Sequence, residues 1–247
     1  MPPFKAPEKS PEGGAPWVRD MAESGRLPDG VTETDLRRAV ASYYGKISFI
    51  DDRVGRILDT LEQRGMSGDT VVMFTSDHGE MAGDRRRINK RVFYEESARV
   101  PLIVSYPGVT RPGTTSEALT DTLDLFATFL ELAGCEPSRR CMGRSLLPVL
   151  DGSDPAGKEE VFSEVARGTD SGRLARTTMV RTRRHKYALD DLGRGFLLYD
   201  MERDPAESRN LVGMPEHAGL EQELRDRIFR FLLREQWARY FPGARTR

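Results

Sequence analysis

The sequence predicts an α/β protein that closes with a small antiparallel α+β subdomain, and three patterns predict it. A long apolar stripe at helical spacing comes first. Two short, uninterrupted apolar runs and a second helical stripe follow it. Beyond about residue 155 the texture changes to short strands separated by Gly and charged turns. Helix, strand, loop, strand, helix is the order of an α/β layer. Strands in quick succession are the order of an antiparallel meander.

The elements follow in chain order. Residues 1–31 hold six of the 15 prolines and no apolar periodicity, which reads as coil lying on a surface. Thr32 with Asp35 resembles a capping box, Asp standing where Glu is usual. Leu36, Val40, Tyr43, Ile47, Ile50, Val54, Ile57 and Leu61 then recur at steps of three and four. That is one face of a long amphipathic helix, with Gly65 as its stop. Thr70-Val71-Val72-Met73-Phe74 is apolar without alternation, as in a strand covered on both faces of a parallel sheet. Val100-Pro101-Leu102-Ile103-Val104 is a second such run, its Pro near the strand start where it is tolerated. Leu123, Phe126, Phe129, Leu130 and Ala133 outline another helix, capped by Gly134. Residues 161–165, 177–181, 185–189 and 196–199 are the strands of the meander. Leu220, Leu224, Ile228, Phe231 and Leu232 form a closing helix.

Composition excludes several classes. Among 247 residues, 38 Lys and Arg face 39 Asp and Glu, so the formal charge is −1. A protein held mainly on nucleic-acid phosphates needs an excess of cations, so nucleic acid is excluded as a main partner. No run approaches the ~20 apolar residues that span a bilayer. The start, Met1-Pro2-Pro3-Phe4-Lys5, has no signal-peptide region, which leaves a cytoplasmic default. Cys135 and Cys141 make neither a disulfide framework nor a metal knuckle, so a reducing compartment is expected.

Chemistry concentrates after the first strand, in Thr75-Ser76-Asp77-His78-Gly79-Glu80. Open α/β sheets collect ligands beyond the carboxyl ends of their strands. There a turn can aim Asp77 and His78 at one point, and Gly79 supplies the backbone freedom. A carboxylate plus an imidazole suits a divalent cation. Two ligands alone do not make a site, however, and a polar loop cap built on Asp77 fits the same residues. Lys90 lies behind Arg85-Arg86-Arg87. Cations near a metal can hold an anionic substrate; a solvated basic loop is the bland alternative. Asp51, at the edge of the first apolar stripe, must find a donor if it is buried.

In order, these residues resemble the sulfatase family of the alkaline phosphatase-like superfamily. The motifs are Tyr43, Asp51-x-x-Val54-Gly55, Thr75-Ser76-Asp77-His78-Gly79-Glu80-Met81-x-Gly83-Asp84, Lys90, Tyr94-Glu95 and Arg99-Val100-Pro101. Gly143-Arg144-Ser145-Leu146-Leu147-Pro148, Lys186-Tyr187, Leu198-Tyr199-Asp200, Asp204-Pro205-x-Glu207 and Asn210-Leu211 continue the match to about residue 232. The resemblance implies a partial alkaline phosphatase-like sandwich, a mostly parallel sheet with helices, at 32–154. The small antiparallel sheet-plus-helix subdomain then takes 155–247, and 1–31 is a Pro/Gly-rich surface segment.

The resemblance also implies a mechanism. A formylglycine hydrate attacks the sulfur of a sulfate ester and releases an alcohol. A divalent cation, calcium in the usual case with Mn2+ or Mg2+ as alternatives, binds the sulfate oxygens and favours the alkoxide. Asp77 and His78 match the family's last pair of metal ligands, and Lys90 matches the lysine on the sulfate ester. Many relatives carry a His where Arg85 stands. The implied substrate is a sulfate-ester small molecule or sugar.

The family's early Asp-Asp pair and its nucleophile helix have no counterpart before residue 32, so the chain is expected to begin midway through the catalytic domain. Its expected partner is the missing N-terminal half or a second copy, and alone it should bind metal weakly and turn over negligibly. Formylglycine is not expected from this chain. Cys135-Glu136-Pro137-Ser138-Arg139 does match Cys-x-Pro-Ser-Arg, which the formylglycine-generating enzyme reads. Yet it follows a helix stop, whereas the nucleophile should open a helix whose dipole favours an anion. Two other readings stay open: a non-catalytic, decayed or repurposed sulfatase fragment, and a phosphonate or phosphate monoester hydrolase of the same superfamily.

Overall fold

In the computed structural model, which describes residues 3–6, 18, 25–136, 141–168 and 174–240, the capping box opens the longest helix. The Thr32 hydroxyl accepts the Asp35 N–H at 3.2 Å, and the Asp35 carboxylate accepts the Thr32 N–H at 3.0 Å. Helix α1 then runs over Glu33–Gln63. Gly65, at φ 68, ends it. The N–H groups of Gly65 and Met66 bond back to Glu62 and Leu61, which satisfies carbonyls the last turn leaves open.

The chain folds as two compact units. One comprises Met1–Lys9 with Ala22–Thr114, the other Ser10–Met21 with Thr115–Arg247. In the first unit, β1 (Val72–Thr75) pairs with β2 (Leu102–Ser105), and helical turn α2 (Glu95–Ala98) leads into β2. The pair is antiparallel, in register from Val72↔Ser105 to Thr75↔Leu102. That differs from the parallel neighbours the apolar runs suggested. An apolar run reports burial, and strand direction is decided by the connection. Both strands are also only half covered, with Phe74 and Ile103 exposed. Along α1 only Leu36 and Val40 are buried, while Tyr43, Ile47, Ile50 and Ile57 of the same stripe face outward. Asp51 is exposed and has no burial cost to offset.

In the second unit, α3 (Leu123–Leu132) and the one-turn helix α4 (Leu147–Leu150) are tied together by a buried carboxylate. Asp124 accepts the Arg144 N–H at 2.7 Å and the Asp121 N–H at 3.0 Å, with the Lys158 ammonium 2.5 Å away. Burial pushes the neighbouring Asp121 carboxyl up, against the pull of Lys158. Thr128 adds a bond from the Leu146 N–H at 2.9 Å. Strands β3 (Glu160–Gly168), β4 (Leu174–Thr182), β5 (His185–Leu189) and β6 (Gly195–Asp200) form the expected meander in sequential order. Helix α5 (Ala218–Tyr240) packs on it. Leu224 and Ile228 lie with Val180, Tyr187, Leu189 and Leu198 in one core, each aliphatic side chain contributing about 1.5–3 kcal/mol on burial. Among the described residues no helix is long and apolar enough to cross a membrane.

Candidate active site

Asp77 and His78 lie in the turn just past the end of β1. The Asp77 carboxylate accepts the His78 N–H at 2.9 Å and a bond from the Ser76 hydroxyl at 3.3 Å. The bond from the His78 N–H holds the Asp77 carboxyl below the usual carboxylate range, so it is ionised at neutral pH. His78 Nδ1 is 2.9 Å from the Gly79 carbonyl. A carbonyl can only accept, so the ring proton belongs at Nδ1. The other nitrogen, Nε2, lies 3.2 Å from Asp77 Oδ2. One oxygen and one nitrogen therefore converge, with the far ring nitrogen anchored to backbone as in metal-ligating histidines.

Gly79 makes this turn possible. Its N–H bonds to the Ser97 carbonyl at 2.8 Å, and a Cβ placed on it would sit 2.0 Å from the Glu96 carbonyl oxygen. The backbone before β2 thus presses directly against the residue after His78.

The chain then makes a tight loop to Lys90. Met81 N–H bonds to the Asn89 carbonyl at 2.9 Å, and Gly83 N–H to the Arg87 carbonyl at 2.7 Å. Two other segments of the same unit brace the loop. Lys5 donates its N–H to Asp84 at 2.9 Å and accepts that of Arg85 at 2.9 Å. Leu27 N–H reaches the Arg86 carbonyl, and Ile88 N–H the Gly25 carbonyl. The arginine run is not a solvated face. Arg85 is buried with its guanidinium 4.1 Å from the centre of the Tyr94 ring, and Arg87 is buried as well. Arg86 donates to the carbonyls of Pro28 and Val31. Lys90, by contrast, is exposed where the loop closes.

The donor set fits part of a cation site. Among the described residues no group of three or more His, Cys, Asp or Glu side chains could hold a metal. Calcium takes 6–8 oxygens, so one carboxylate and one imidazole would be a corner of its shell. Cys135 belongs to the other unit. Its N–H bonds to the Leu130 carbonyl at 2.8 Å, just past the stop of α3 at Gly134. The C-terminal end of a helix carries partial negative charge, which opposes a reacting anion there. Pro137, Ser138 and Arg139 of the Cys-x-Pro-Ser-Arg match lie outside the described residues.

Comparison with known proteins gives the family. The sulfatase family model matches residues 8–149, and the model for the C-terminal region of N-sulphoglucosamine sulphohydrolase matches residues 83–234. The choline-sulfatase of Rhizobium meliloti is 37% identical over 191 residues, 75% of this chain and 35% of that protein. The N-acetylglucosamine-6-O-sulfatase of Bacteroides thetaiotaomicron is 33% identical over 187 residues, 74% of this chain and 33% of that protein. The phosphonate monoester hydrolase of Agrobacterium radiobacter superposes with a TM-score of 0.74 at 29% identity, over 83% of this chain and 43% of that one. This chain belongs to the sulfatase family and shares its alkaline phosphatase-like fold. It covers 33% and 35% of the length of those two curated relatives. Sulfatases generally use a divalent metal.

Glu80 and the burial of Arg85 were the features the sequence hid. Glu80 stood inside a motif with no role attached. Its two partners, the N–H groups of Ala82 and Asn89, are backbone and leave no side-chain signature.

Proposed function

We propose that this chain supplies the C-terminal part of a sulfuric ester hydrolase and is catalytic only when joined to a polypeptide carrying the family's N-terminal half. In this reading Asp77 and His78 hold the divalent cation, calcium first among the candidates, and Lys90 contacts the sulfate ester. The observation that carries it is the convergence of Asp77 Oδ2 and His78 Nε2, 3.2 Å apart beyond β1. When bound, the cation would polarise sulfate oxygens and stabilise the attacking alkoxide. This chain's own residues orient it: the Gly79 carbonyl fixes the His78 ring, and Ser76 steadies the Asp77 carboxylate. Lys90 would balance negative charge as the ester bond breaks. The substrate is a sulfate ester of a small molecule or sugar, and the nucleophile comes from the companion half. Support for a companion is the uncovered apolar surface of the first unit, where Ile57 is 62% and Ile103 63% exposed.

The test is to co-express the chain with such a half and the maturation enzyme, then follow aryl sulfate hydrolysis. The joined protein should turn over and the isolated chain should not. Lys90→Ala should cost about 10²–10³-fold in kcat, the range for losing one charge-stabilising donor, and Asp77→Ala at least as much. Ordinary enzymic rates from the pure chain, or activity indifferent to Asp77, would refute the proposal. A phosphonate ester as the preferred substrate is the second reading, favoured by the likeness to phosphonate monoester hydrolases at TM-scores of 0.74 and 0.76. Relative rates on the two ester classes separate them. A joined protein inert to both esters would favour the third reading, a non-catalytic fragment.

A further inference from the structure

Glu80 links the two ends of the loop that separates Asp77 and His78 from Lys90. Its Oε1 accepts the N–H of Ala82 at 3.2 Å and that of Asn89 at 2.5 Å. One end of the loop therefore leaves His78 two residues before this carboxylate. The other end is bonded to it one residue before Lys90. A single carboxylate oxygen has the two lone pairs this bridge needs.

The backbone so tied is unfavourable by itself. Ala82, Arg85, Arg86, Asn89 and Arg91 all have positive φ, from 49 to 76. L residues enter that region only when their surroundings over-determine it. The braces from Lys5 and Leu27 act on residues 84–86, at the far end of the loop, and the Gly25 carbonyl accepts the Ile88 N–H on the limb that returns to Lys90, but none of them ties the two limbs to each other. At its mouth the bonds are the Met81–Asn89 backbone contact and the two to Glu80.

We infer that Glu80 is a positioning residue: its carboxylate fixes the end of the loop that bears Lys90 against the end that bears Asp77 and His78. This deepens the proposed function, because it rests on those three side chains serving one anion site. Positioning matters there because a lysine neutralises developing charge only if it is held in place before the reaction.

The test measures position directly. In the full chain, with Cys135 and Cys141 replaced by Ser, spin labels go on Asp77→Cys and Lys90→Cys, both of which are exposed. Pulsed electron resonance then gives the distribution of distances between them. With Glu80 in place a single narrow distribution is expected. Glu80→Gln keeps an accepting oxygen and should stay as narrow. Glu80→Ala should widen the distribution at least about twofold, as local opening of a loop does, with the melting temperature followed alongside. Should Glu80→Ala fail to fold, Glu80→Asp, one methylene too short to reach both donors, replaces it with the same expectation. A broad distribution in the parent, an alanine variant as narrow as the parent, or a glutamine variant as broad as alanine would each overturn the inference. None of these readings depends on turnover. A well-held loop in an inactive joined protein would refute the sulfatase reading and leave the role of Glu80 standing.

Discussion

At Gly79 a hydrogen is all the space allows. A methyl group there would overlap the Glu96 carbonyl, and neither backbone can retreat without moving the turn that aims His78. Gly79→Ala should therefore destabilise the chain by about 1–3 kcal/mol, the usual cost of forcing atoms into a packed site. Denaturant melts of the two proteins check this, and an unchanged midpoint would refute it. Asp200 carries a pH dependence of a different kind. The Arg184 guanidinium, bonded to it at 2.8 Å and 3.1 Å, holds its carboxyl down to about 2 from an ordinary 3.8. A depressed carboxyl stabilises the fold above its unfolded value, and that stabilisation is lost as pH falls from about 4 through about 2. Arg184→Gln should lower the melting temperature at pH 6, and the gap should close toward pH 2. A gap independent of pH would show that the pair does not act this way.

Among the elements, helix α1 separates what local pattern tells from what packing decides. Its start, stop and apolar stripe were legible because capping and periodicity act within a few residues. The partner of that stripe was not legible, and most of the stripe is exposed. Ile50→Lys with Ile57→Lys should leave the unfolding free energy of the chain within about 0.5 kcal/mol of the parent, as surface changes do. The same pair should abolish assembly with the companion half in co-purification. Assembly surviving both changes would remove α1 from the proposed interface. In the second unit the reverse holds. There the stripe of Leu220, Leu224, Ile228 and Leu232 does lie against the sheet core, so pattern and packing agree. The loop at 80–91 was the least legible element. Arg85 and Arg87 looked solvated in sequence and are buried, and Arg86 reaches the carbonyls of Pro28 and Val31, more than 50 residues back along the chain.

For the whole molecule, uncovered apolar surface is the property with the most consequence. Tyr44, Phe49, Leu58 and Phe74 add to the exposed face of the first unit. Exposed apolar side chains in this number mark surfaces that bind or aggregate. Light scattering on the purified chain should show self-association that rises with added sulfate, because a salt excluded from the protein surface strengthens apolar burial, and with a formal charge of −1 little net repulsion opposes it. A monodisperse monomer at all salt concentrations would count against an interface there. The sequence by itself determined the family, the order of helices and strands and the meander, and it singled out Asp77, His78 and Lys90 as candidates. These are legible because capping, hydrophobic period and motif order act along the chain. The tertiary structure decided that β1 and β2 run antiparallel, that Arg85 and Arg87 are buried, and that Glu80 bridges the loop. Those features depend on residues far apart in sequence meeting in space, and on backbone N–H groups that every residue but proline carries alike.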